Sequence, residues 1–118
     1  MIVQIDVWLR GQDFASTRSI EGLSSEARHW TDADVRVLLE GMLHAMHGLK
    51  HPNGERASVA LRGLSWIVNP FEGGVVVAIE ITMGAAVAGP FDIDKAALEA
   101  MIARVLSAPV PSTSTSIH

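Results

Sequence analysis

The chain has 118 residues, 48% of them apolar and 19% charged, with nine Lys and Arg against thirteen Asp and Glu. That length is one domain, long enough to bury a core without staples. The absence of cysteine excludes a disulfide framework, thiolate metal sites and a thiol nucleophile, and the net charge of −4 is the wrong sign for a protein that holds phosphate backbones.

Ile2–Leu9 alternates, with Val3, Ile5, Val7 and Leu9 on one side and Gln4 and Asp6 on the other, which predicts a half-buried strand ending at Gly11. With Asp6 present and no basic leader, the same segment does not read as a signal peptide. Residues 12–30 are open to two readings: Thr17–Leu23 as a strand hairpinned to the first, and Ser24–His29 as a short helical turn. A helix is predicted from Thr31, the N-cap of a capping box with Asp34, to about Lys50, where Pro52 and Asn53-Gly54 stop it. Its apolar stripe is Val35, Leu38, Leu39, Met42, Met46 and Leu49, with Trp30 stapled onto Val35.

Arg56–Val68 reads as the next strand, with Trp66 and Val68 on one face, and Asn69–Gly74 as its turn. Val75–Met83 returns, continued by small residues to Gly89. A second helix follows Asp94, its cap, and buries Leu98, Met101, Ile102 and Val105. The tail 107–118, with two prolines and alternating Ser and Thr, is expected to be disordered, which leaves one domain over 1–106. The predicted order β-(β)-α-β-β-α implies an α+β two-layer sandwich, an antiparallel or mixed sheet with both helices on one face. Glu80 and the glycines interrupt Gly73–Phe91, the longest apolar stretch, so no membrane span is expected and the expected location is cytoplasmic.

Catalytic motifs are weak. Gly63-Leu-Ser65 lacks the second glycine of a nucleophile elbow, and capping accounts for Asp92 and Asp94. Gly84–Gly89 is followed by Pro90, Phe91 and Asp92, and an aspartate there repels a phosphate rather than cradling it. The most pointed polar feature is Glu40, His44, His47 and His51. At about 100° per residue these fall roughly 120–180° from Val35, on the side away from the apolar stripe. Spacings of three and four allow imidazoles to share a divalent metal ion, but the ordinary reading is a solvated face with a Glu40–His44 pair and histidines at the helix C-terminus. No cofactor is predicted, and a divalent metal is the minority alternative.

The strongest feature is apolar. Val75–Ile79 is apolar on both faces, which two helices on one side of a sheet cannot cover. The expectation is a small non-catalytic interaction or assembly module that self-associates, as a homodimer, through the open face or edge of its sheet, a different protein partner being the other occupant that face could take. Trp8, Trp66, Val76 and Ala78 are its candidate interface residues. A pocket between sheet and helices, lined by Met42, Met46, Met83 and Met101, is the alternative for a ligand-binding regulatory protein.

Overall fold

Strand β1 (Val3–Leu9) buries Val3, Ile5, Val7 and Leu9 and exposes the residues between them in a computed structural model, which describes residues 1–51 and 61–107. Strand β2 (Ser16–Ile20) pairs antiparallel with it, Val3 opposite Ile20 and Val7 opposite Ser16. A 3-10 turn follows at Ala27–His29. Of the two readings of residues 12–30, the strand takes Ser16–Ile20 and the helical turn Ala27–His29.

Helix α1 (Asp32–Lys50) begins with the capping box that its sequence announces: the Asp34 N–H donates to Thr31 Oγ1, and the Thr31 N–H donates back to the Asp34 carboxylate at 3.0 Å. Val35, Leu38, Leu39, Met42 and Met46 are completely buried, as the 3.6-residue period requires. Trp30 is buried too, and its ring lies against Phe91 at 4.8 Å between centroids.

The second half departs from the expected order. Strand β3 runs Ser65–Phe71, later and shorter than Arg56–Val68; residues 61–64 precede it, and 52–60 lie outside the described residues. The turn is not Asn69–Gly74 but the two residues Glu72 and Gly73. Their φ angles of 51° and 82° are both left-handed, the combination that matches a tight hairpin to the strand twist. Pro70 therefore stays inside β3, which an edge strand tolerates.

Strand β4 (Gly74–Ile81) does not continue to Gly89. It turns at Thr82–Met83 into β5 (Gly84–Phe91), a strand that sequence reading missed. Gly84 makes that return possible. A Cβ there would overlap the Trp8 carbonyl oxygen and stand 3.0 Å from Leu9 Cα, so only glycine lets β5 lie against β1.

The sheet is five-stranded and antiparallel throughout, in the order β2-β1-β5-β4-β3. With helix α2 (Lys95–Ser107), capped by the Asp94 carboxylate on the Ala97 N–H at 3.0 Å, the chain is an α+β protein of order β-β-α-β-β-β-α. Ser107 closes α2, one residue into the expected tail; residues 108–118 lie outside the described residues. Helix α1 packs on β1, β2 and β5, α2 packs on β3, and the helices pack on each other. Arg104 in α2 adds a two-pronged ion pair to Asp32 at the start of α1, with both contacts at 2.9 Å. That guanidinium holds the exposed Asp32 carboxyl below its ordinary range.

Two glycines of α1 differ sharply in their surroundings. Nothing lies within 4 Å of a Cβ built at Gly48, whereas one at Gly41 would meet the Ile20 side chain at 2.7 Å. Gly48→Ala is expected to raise stability by about 1 kcal/mol, the helix-propensity difference, and Gly41→Ala to lower it. Urea melts of the two variants would read opposite signs.

Candidate interaction surface

Alternation gives the sheet two unlike faces. The face under the helices carries Ile5, Val7, Val68, Val77, Ile79, Ala86 and Ala88, each at most 1% exposed. The other face carries Gln4, Asp6 and Trp8 of β1, Ser65, Ile67, Asn69 and Phe71 of β3, Val76, Ala78 and Glu80 of β4, and Ala85 and Val87 of β5. Register fixes how these meet. One cross-strand row reads Thr17, Asp6, Val87, Ala78, Ile67; the next reads Trp8, Ala85, Glu80, Ser65.

The floor of this face is small and apolar, and its larger side chains stand on the flanking strands. Trp8 is 38% exposed, Ile67 52% and Phe71 50%, and Ile2, which alternation puts on the same side just before β1, is 64% exposed. Four of the six exposed large apolar residues of the described chain thus share one sheet face. Soluble monomers usually scatter such residues singly over the surface.

Its charge is one-sided. Asp6, which accepts a hydrogen bond from Thr17 Oγ1 at 2.9 Å, and Glu80 are the ionisable groups at the outward strand positions, and no Lys or Arg stands among them. At one end of the sheet Arg10 is held aside, its Nε donating to the Thr82 carbonyl at 2.8 Å.

Of the sequence candidates, Trp8, Val76 and Ala78 come together here. Trp66 does not. It pairs with Ile79 and shares the parity of Val68, so it packs half-buried against the core on the helix side. Ile2, Ile67, Phe71, Ala85 and Val87 were not singled out; anchoring strand parity on Val68 would have found Ile67 and Phe71.

The sheet edges are poor contact surfaces by comparison. Edge strand β2 has only five residues and carries Arg18, and edge strand β3 contains Pro70, which has no N–H to offer a further strand. Both are devices that blunt edge-to-edge pairing. No family model, curated protein or solved structure matches the chain. The surface must be read from its chemistry.

The Glu40, His44, His47 and His51 set does not converge. Among the described residues no group of three or more His, Asp or Glu side chains is close enough to hold a metal ion. A shared helical face is not a shared height: Glu40 and His51 are about 16 Å apart along the axis, at 1.5 Å per residue. Glu40 faces Arg36 at 3.8 Å instead, and only His47 and His51 have rings in contact.

Of the four candidate methionines, Met83 packs partly buried against the core. Met42 and Met46 are fully buried and Met101 is 7% exposed, all within the packed core. A cleft of about 210 Å³ lies elsewhere, between Met1, Glu26, Arg28, Phe91 and Asp92. That is below the size of ordinary small-molecule sites.

Proposed function

We propose that this chain is a small, non-catalytic assembly module that self-associates through the open face of its sheet. The observation that carries the proposal is the grouping of Ile2, Trp8, Ile67 and Phe71 around a floor of Val76, Ala78, Ala85 and Val87 on the side away from the helices. In this reading the chain is a two-layer sandwich whose second sheet face is closed by the same face of a second copy. Five strands about 4.8 Å apart and about seven residues long present on the order of 500 Å² each. Two copies would bury about 1,000 Å², the low end for specific interfaces. The small floor residues allow two sheets to approach to the usual spacing of about 10 Å, and the blunted edges favour the face over the edge.

Association of this kind is concentration-dependent, and its salt response has a definite sign. Asp6 and Glu80 put two carboxylates on each face against the single Arg10 at its end, so each face is net negative and screening at high salt should tighten the dimer. Light scattering across a concentration series is the test. A dimer that strengthens with salt and is weakened at least about tenfold by Ile67→Glu, a surface change that leaves the fold intact, is the expected result. A clean monomer at high micromolar concentration overturns the proposal.

A further inference from the structure

His47 in the last turn of α1 and His51 at its C-cap are four residues apart, with ring centroids 5.4 Å apart and ring planes inclined by 39°. A two-imidazole chelate has a predictable span. With metal–nitrogen bonds of about 2.0–2.1 Å, each ring centroid stands about 3.2 Å from the ion, and a tetrahedral angle puts the two centroids about 5.2 Å apart. The observed separation is already close to that value. Backbone geometry holds the pair in place, since the His51 N–H donates to the His47 carbonyl at 2.9 Å and closes the last turn beneath the rings.

The surroundings also favour a cation. This is the negative end of the helix dipole. Glu40, the acid on the same helix face, is engaged with Arg36 nearly two turns away, and among the described residues no carboxylate pairs with either ring. His51 is exposed and His47 half-exposed, so an ion has access.

We infer that His47 and His51 form a two-point site for a borderline divalent transition ion, of the zinc, nickel or copper class. Imidazole nitrogen selects these ions over calcium and magnesium, which require oxygen ligands. The remaining coordination positions are open to water, so the ion is exchangeable. It bridges one helical turn and clamps the C-terminal end of α1. The inference is independent of the sheet face.

Calorimetric titration of the full chain with zinc chloride and with nickel chloride, in a non-chelating buffer, tests it. Losing even a group behind a metal ligand costs 10–100-fold in affinity, so His47→Ala and His51→Ala should each weaken binding by about tenfold or more. His29→Ala, in the distant 3-10 turn, should bind as the parent does. Bound ion should also raise the melting temperature of the parent and not of the two variants, because only the native helix holds the pair in register. Circular dichroism establishes that each variant is folded. Absence of saturable binding by the parent, a loss smaller than tenfold in either His variant, or an equal loss in His29→Ala overturns the inference.

Discussion

Gly84→Ala is expected to cost about 3 kcal/mol or more, at the upper end of what a single added methyl group does inside a packed protein. The residue is not in a left-handed conformation, so the effect has nothing to do with backbone freedom; it is overlap. The new Cβ would collide with the Trp8 carbonyl and crowd Leu9 Cα, both backbone atoms that cannot rotate aside. Relief requires β1 and β5 to separate at the register pairs Trp8–Ala85 and Leu9–Gly84, in the interior of the sheet. A domain whose whole stability is roughly 5–15 kcal/mol would lose a large share of it. Gly73→Ala is the matching control. Its φ of 82° is strained for alanine, but nothing lies within 4 Å of the new atom, so the cost should stay near 1 kcal/mol. Denaturant midpoints of the two variants separate collision from strain, and equal losses would remove the steric account of the β1–β5 contact.

Gly84 also marks where sequence reading stops. The elements announced by local signals are in place: alternation from Val3 to Leu9, the Thr31–Asp34 capping box, the Asp94 cap and the apolar stripes of both helices. The β4–β5 hairpin has no such signal. Thr82 and Met83 sit within an apolar run, and the glycine that permits the return acts on Trp8 and Leu9, far away in the chain. A window of neighbouring residues carries no information about that contact.

The candidate surface was legible to the same degree and for the same reason. An excess of apolar residues over what two helices can cover is a property of composition, and it pointed to Val76 and Ala78. Which tryptophan joins them depends on which face of β3 is buried: parity groups Trp66 with Val68, but large apolar residues stand on both faces of that segment, so the sequence does not say which face turns to the core. A helical wheel likewise carries angle but not height. It grouped Glu40 with three histidines, when only His47 and His51 are within reach of each other.

Asp34→Ala is expected to be the most damaging change of a charged residue, at about 3 kcal/mol. The capping box accounts for only part of this. Asp34 is 8% exposed, and its carboxylate accepts from the Thr31 N–H and hydroxyl and also from the Ser24 N–H and hydroxyl. Ser24 in turn accepts the Trp30 indole N–H on its carbonyl at 3.1 Å, which fixes the ring that packs on Phe91. One carboxylate therefore ties the helix start to the loop before the 3-10 turn, and that loop's Ser24 carbonyl holds the Trp30 ring against Phe91 of β5. Removing the carboxylate leaves several partly buried donors unpaired, each costing about 1–3 kcal/mol unless water replaces the partner. An N-cap alone is worth about 1 kcal/mol, so a loss confined to that value would mean the Ser24 bonds contribute nothing.

Acid provides an independent test of the same group. Burial pushes the Asp34 carboxyl up, but the four hydrogen bonds from Thr31 and Ser24 outweigh it, and the net direction is below the ordinary 3.8. A carboxyl depressed in the folded state contributes stability that is fully present above its unfolded value. That contribution is lost as pH falls through the folded value. Asp34→Asn keeps one acceptor oxygen and cannot titrate. Its stability should lie below that of the parent at neutral pH, and the gap should narrow steadily below about pH 4 as the parent carboxyl takes up its proton. Urea midpoints measured from neutral pH downward should converge; parallel curves would mean that the charge on Asp34 plays no part in holding the helix start to the loop before the 3-10 turn.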